Sequence, residues 1–378
     1  MAFLFNQKQT KPLPASSPSR APLAFHQRLD GYAPTPLQQA PDLARTLRIG
    51  QLWLKDESSR LGLPAFKILG ASWAIYRALE TRAGATLESW RTIDELARRL
   101  APLRPLTLAA ATDGNHGRAV ARMARLLGFE SRIYVPAGTA QARIDAIAGE
   151  GARVEVVNGT YDAAVERSAQ DASERCLVIS DTSWPGYENI PRWVIEGYST
   201  IFWEIDDELE QLGERGPDLI ATQIGVGALA AAAVNHYQHS SRAGHPGILG
   251  VEPVKAACLM AAMEAGEIVS VPGPHDSIMA GLNCGRASLI AWPILSTSMA
   301  AFITIEDERA REAMCALARS GIVAGETGGS GLAGLLELLT GPDNAQRRAA
   351  LGITETSSIL ALITEGATDP ESYRQIVS

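Results

Sequence analysis

No run in these 378 residues is apolar for long enough to cross a bilayer; the nearest, Gly225 to Val234, has only about half the required length. The opening Met1-Ala2-Phe3-Leu4-Phe5 turns polar too soon to form the apolar core of a secretion signal. No membrane association is expected, and a cytoplasmic protein is the simplest reading. Positive charge is also in short supply. Lys and Arg number 34 against 42 Asp and Glu, the net charge is −8, and no basic stripe appears, so nucleic acid is not an expected partner. The four cysteines, Cys176, Cys258, Cys284 and Cys315, form no C-x-x-C pair and no zinc spacing. They read as small buried hydrophobes, and no metal site is expected. Nucleotide signatures are missing too. Gly225-Val226-Gly227 is followed by Ala230 where a dinucleotide fingerprint needs a third glycine, and the segment lacks the Walker-type Gly-Lys-Ser/Thr. A dinucleotide-dependent oxidoreductase or a nucleoside triphosphatase is therefore disfavoured.

What is present is an alternation of short apolar runs with helical periods. Strands are expected at Leu52–Leu54, Leu106–Ala111, Arg132–Val135, Val154–Val157, Leu177–Ser180, Leu219–Gln223, Ile248–Glu252, Phe302–Ile305 and Ser358–Ile363. Helices are expected at Gly70–Arg82, Gly117–Leu127, Ala140–Ala148, Tyr161–Asp171, Ala228–His236 and Glu308–Arg319. Successive units of this kind imply an α/β fold, with mainly parallel sheets flanked by helices. The chain is long enough for two domains. The expected division is a larger domain of residues 1–87 and 206–378, beginning with a loose arm over 1–25, and a smaller inserted domain of 88–205.

In open parallel sheets, chemistry collects at the C-terminal ends of the strands. Four segments fall there: Thr112-Asp113-Gly114-Asn115-His116-Gly117, Asp181-Thr182-Ser183-Trp184, Gln223 to Ala228, and Thr364-Glu365-Gly366. The first joins a strand to a helix, so its N–H groups suit a carboxylate, and Asn115 can hydrogen-bond a phenolic oxygen. An ordinary Asx turn would use the same residues. The glycines at 225 and 227 let the backbone approach a single phosphate. Gly325 to Gly331 reads as a further strand-to-helix loop. Lys67 stands in the apolar run Pro64 to Ala71. An amine there is costly unless neutral, paired or covalently used, and desolvation is expected to lower its pKa and make it nucleophilic.

Together these residues resemble the fold-type II pyridoxal-phosphate enzymes, the tryptophan synthase β family, and within it the diaminopropionate ammonia-lyases. The resemblance is carried by Tyr32 to Leu37, Lys55 to Ser58, Ala65-Phe66-Lys67, Thr112 to Arg118, Asp181-Thr182 with Trp184, Gly225 to Gly227, Met279 to Leu282 and Thr364 to Gly366. It implies pyridoxal 5′-phosphate as cofactor, with Lys67 as the Schiff-base lysine and Phe66 beside it. By the same resemblance Asn115 contacts the cofactor, Gly225, Val226, Gly227, Ala228 and Leu229 hold its phosphate, and Thr364 faces the pyridine nitrogen. Thr112, Asp113, Gly114, His116 and Asp181 would meet a small amino-acid substrate, with Lys67, Asp113 and Asp181 catalytic. A homodimer is implied on the same ground. The Gly273-Pro274-His275-Asp276-Ser277 and Ser183-Trp184-Pro185 segments depart from the family pattern.

The aspartates add a physical argument. An acid inside a carboxylate-binding loop repels a substrate that offers only an anion, and becomes favourable if the substrate also carries a cation. The expected reaction is α,β-elimination of 2,3-diaminopropionate to pyruvate and ammonia. The alternative is a dehydratase acting on a β-hydroxy amino acid such as phenylserine, threonine or serine.

Overall fold

The computed structural model describes residues 1–7, 18–87, 89–238 and 245–378. Its strands are β1 (Phe3–Phe5), β2 (Leu37–Gln39), β3 (Gln51–Asp56), β4 (Thr107–Ala111), β5 (Glu130–Pro136), β6 (Arg153–Val157), β7 (Cys176–Val178), β8 (Leu219–Gln223), β9 (Gly247–Pro253), β10 (Ala301–Ile305) and β11 (Ser358–Ile363). They form two sheets. One has the order β1-β10-β9-β8-β11-β3-β2, parallel except for its two edge strands. The other, β6-β5-β4-β7, is parallel throughout.

The chain divides into two compact units. The first comprises Met1–Pro18, Pro34–Ser59 and Ile201–Ser378 and contains the seven-stranded sheet. The second comprises Ser19–Ala33 and Arg60–Thr200 and contains the four-stranded sheet. Central strands such as β8 and β11 are buried at every position. That is why they read as unbroken apolar runs instead of alternating ones: a parallel sheet covered on both faces buries both sets of side chains.

Among its parallel strands, each sheet reverses its order once. In the seven-stranded sheet β8, β9 and β10 step outward one way, and β11 then returns to the other side of β8. In the four-stranded sheet β4, β5 and β6 step one way, and β7 returns to the other side of β4. Loops leaving β8 and β11, and loops leaving β4 and β7, therefore flank a topological switch point, where the covering connections diverge and leave a crevice.

The division differs from the one expected. Residues 60–87 belong with the four-stranded sheet, because the helix Lys67–Ala83 packs against the helix Asn115–Leu127 of that unit. The unit ends at Thr200 instead of 205. The N-terminal arm is not loose where it is described. Phe3–Phe5 pairs antiparallel with β10, and Ala21–His26 is a helix burying Leu23 and Phe25; residues 8–17 lie outside the described residues. Gly325 to Gly331 does not follow a strand. It joins the helices Asp307–Arg319 and Ser330–Thr340, and the Gly325 N–H donates to Glu365 O. Cys258 and Cys284 are buried as expected, but Cys176 and Cys315 are only partly so. The helix Asn189–Gln211 was not anticipated; Pro191 near its start interrupts the periodicity that would announce it.

Candidate active site

In the second unit, Lys67 is the first residue of its helix, with Phe66 as the N-cap. An ammonium there opposes the helix macrodipole and needs a compensating anion. Asp181, three residues beyond β7, provides it: Lys67 Nζ lies 2.7 Å from Asp181 Oδ2. The Tyr161 hydroxyl donates to the other oxygen, Oδ1, at 2.8 Å. Tyr198 reaches the same place because two helices cross at glycines. A Cβ on Gly70 would lie 2.5 Å from the Tyr198 ring, and one on Gly197 would lie 2.5 Å from Leu69 O. The Phe66 ring packs against that of Tyr198, with centroids 4.7 Å apart.

The loop after β4 faces this pair electrostatically. Thr112 Oγ1 accepts the Gly114 N–H at 2.8 Å, and Asn115 begins the helix Asn115–Leu127. His116 is buried, with Nε2 2.9 Å from the Ile179 carbonyl, so Nε2 carries the ring proton there. Arg143 lies along the loop, its Cδ 3.2 Å from where a Gly114 Cβ would stand.

The two aspartates differ in proton affinity. Burial pushes Asp113 upward; the Arg143 guanidinium and Lys67 ammonium offset only part of this, so it stays above the usual carboxylate range. Asp181 is also desolvated, but the Lys67 charge, His116, and hydrogen bonds from Lys67 and Tyr161 prevail and hold it well below that range. For Lys67 the expectation was wrong. Burial does pull its pKa down, but the Asp181 charge and hydrogen bond, with Tyr198 and Asp113, outweigh burial and hold it well above the ordinary lysine value. It is a paired ammonium here, not a neutral nucleophile. His116 is pushed down, mainly by burial, and is neutral.

The first unit presents a different kind of site. Gly225 to Leu229 leave the C-terminal end of β8 and open the helix Ala228–Gln238. Gly227 has φ +100°, and a Cβ on it would stand 2.8 Å from Leu295 Cδ1. Among the described residues, no protein acceptor takes the N–H groups of Gly225, Val226, Gly227, Ala228 or Leu229. This is an anion cradle made of backbone, and it fits a phosphate. Thr364 follows β11. Its hydroxyl accepts from Gln223 Nε2 at 3.3 Å and donates weakly to Thr327 O at 3.4 Å.

The residues predicted from sequence therefore fall in two groups. Phe66, Lys67, Thr112, Asp113, Gly114, Asn115, His116 and Asp181 lie in the second unit, and Gly225 to Leu229 and Thr364 in the first. Sequence reasoning gave no site role to Tyr161, Tyr198, Arg143 or Gln223. Gln223 left a signal, an amide ending an otherwise apolar strand; its Nε2 donates to Thr327 O, Gly328 O and Leu362 O. The two tyrosines are indistinguishable in sequence from core aromatics.

Residues 28–354 match the family described as pyridoxal-phosphate dependent enzyme. A diaminopropionate ammonia-lyase of Escherichia coli strain K12 is 35% identical over 99% of this chain and 94% of its own length. One from Salmonella typhimurium is 34% identical over 94% of this chain and 90% of its own. The crystal structure of the Escherichia coli enzyme, in complex with an aminoacrylate-PLP azomethine reaction intermediate, superposes with TM-score 0.90 at 34% identity, covering 100% of this chain and 96% of that one. The chain belongs to the pyridoxal-phosphate-dependent enzyme family, among the relatives of diaminopropionate ammonia-lyase.

Proposed function

We propose that this protein eliminates the β-nitrogen of 2,3-diaminopropionate, giving pyruvate and ammonia, and that Lys67 is the lysine that binds pyridoxal phosphate. When bound, the cofactor supplies an aldehyde for an amine and an electron sink for negative charge at Cα. Gly225 to Leu229 hold the phosphate with backbone N–H groups, Asn115 bonds the phenolic oxygen, and Thr364 offers a neutral hydroxyl to the ring nitrogen. A neutral partner leaves that nitrogen unprotonated, which favours elimination over transamination.

The substrate carboxylate docks on the Thr112 to Gly117 loop, where the helix Asn115–Leu127 begins. Asp181 stays ionised and takes a substrate cation. Asp113, with raised proton affinity, accepts the Cα proton. The Lys67 ammonium, while paired with Asp181, is a proton donor. It becomes a base for the other face of the substrate when a second cation replaces it at Asp181. The β-nitrogen, already an ammonium, leaves as ammonia with the electron pair of its C–N bond, and water then hydrolyses the released 2-aminoacrylate to pyruvate and a second ammonia.

One observation carries this reading over a hydroxy-amino-acid dehydratase: two carboxylates of opposite pKa displacement share one electrostatic environment with Lys67. Such a site is suited to a substrate bearing a second ammonium. Pyruvate and ammonia release should be measured with diaminopropionate, serine, threonine and phenylserine. Turnover of the diamine should exceed the others by at least about a hundredfold, the scale of a positioned acid or base; no turnover of the diamine refutes the proposal. The family likeness also supports a cytoplasmic homodimer, which light scattering of the purified protein tests for the oligomer.

A further inference from the structure

Asp181 is faced by Lys67, His116, Tyr161, Tyr198, Asp113 and Tyr187. Two of these hydrogen-bond its carboxylate, one at each oxygen. Lys67, at the start of one helix, holds Oδ2 at 2.7 Å. Tyr161, at the start of the helix Tyr161–Ala169, holds Oδ1 at 2.8 Å. Both the tyrosine and the aspartate are buried. A carboxylate on a loop, held by one ammonium alone, keeps a broad rotation about its terminal torsion. A second donor on the other oxygen removes that freedom.

We propose that Tyr161 is a positioning residue that aims the Asp181 carboxylate, so that Oδ2 can exchange the Lys67 ammonium for the cationic group of a substrate. The inference rests on the diamine reading and deepens it. The two contacts differ in kind. Oδ2 binds a charge, and any other ammonium of suitable reach can take its place there. Oδ1 binds a neutral hydroxyl that brings no competing charge, so it stays in place through the exchange. Tyr161 thereby contributes to recognition of a second amine without meeting the substrate.

The test uses the holoenzyme and two ligands that have no β-nitrogen to lose: 2,4-diaminobutyrate, and 2-aminobutyrate, its counterpart without the second amine. Dissociation constants come from the change in the cofactor's visible absorption. They are compared in wild type, Tyr161→Phe, Asp181→Asn and the double variant. Tyr161→Phe should reduce the preference for the diamine about tenfold, with 2-aminobutyrate affinity unchanged. In Asp181→Asn the preference should already be gone, and adding Tyr161→Phe should change nothing further. Equal weakening of both ligands by Tyr161→Phe, or a further loss in the Asp181→Asn background, overturns the proposal. A preference present in wild type, lost in Asp181→Asn and untouched by Tyr161→Phe, overturns it alone. No preference in wild type overturns the diamine reading and this inference together.

Discussion

The two units solve the same problem with different parts of the chain. Each places its chemistry at the switch point of a parallel sheet, but the first builds its site from backbone and the second from side chains. Gly225 to Leu229 offer N–H groups, and the identity of the side chains there matters only where a Cβ has no room. Lys67, Asp113 and Asp181 offer ionisable groups whose proton affinities are set by one another. A backbone site should tolerate most substitutions and fail at Gly227. A side-chain site should fail at each member, in a different way for each.

The largest effect belongs to Lys67. Lys67→Ala should abolish the cofactor's visible band in its lysine-bound form and reduce turnover by about 10⁴-fold or more, the upper range for a positioned acid or base. Retention of that band would break the comparison, since the side-chain site would then have no covalent centre. Next is Asp113→Asn. If Asp113 and Lys67 serve different faces of the substrate, kcat for one enantiomer of diaminopropionate should fall by about 10³-fold and for the other far less. Equal losses on both enantiomers would show that the two groups do not divide the work.

The same contrast explains what could be read in advance. The parallel strands were legible because burial on both faces leaves continuous apolar runs, as in Ser358–Ile363. The ionisable residues were legible because Lys67, Asp113 and Asp181 sit where apolar or turn residues would be cheaper. Their charge state was not, because it depends on a distance: nothing in the run around Lys67 shows that Asp181, 114 positions later, lies 2.7 Å away. The domain boundary failed for a similar reason. Residues 60–87 were expected in the larger domain, and only the packing of the helix Lys67–Ala83 on Asn115–Leu127 assigns them to the other unit. Tyr161 was legible as a helix start and not as a hydrogen-bond donor.

For the backbone site, Gly227→Ala should weaken pyridoxal-phosphate affinity about a hundredfold, because the residue must leave φ +100° or push Leu295 aside. Val226→Ala, which keeps every N–H group, should change affinity less than about threefold, because the phosphate meets backbone N–H groups and not this buried side chain. Equilibrium titration of cofactor-free protein measures both. If Val226→Ala were as damaging as Gly227→Ala, the cradle would depend on side chains after all and the distinction between the units would fall.

The smallest effect sharpens the comparison inside the second unit, where the two aspartates should respond oppositely to removal of charge. The pKa of Asp181 is depressed in the folded state, so its contribution to stability is full above the unfolded carboxylate value and is lost as pH falls through the folded one. The pKa of Lys67 is raised, so its contribution is full below the unfolded lysine value and is lost as pH rises through the folded one. The pair therefore stabilises the protein across the whole neutral range. Asp181→Asn should cost about 2 kcal/mol at pH 7, a buried-pair loss discounted for the partial exposure of Lys67, and progressively less as the solution is acidified below about pH 4. Asp113 has the opposite sign: its folded value is raised, so stability falls as pH rises from the unfolded value through the folded one. Asp113→Asn should accordingly leave the cofactor-free chain as stable as wild type or more so at pH 7, while the enzyme loses activity toward one enantiomer. Denaturant unfolding of the cofactor-free chain at pH 4, 7 and 9 separates the two. A destabilised Asp113→Asn would mean that this carboxylate is held for the fold, and Asp181 would no longer differ from it in kind.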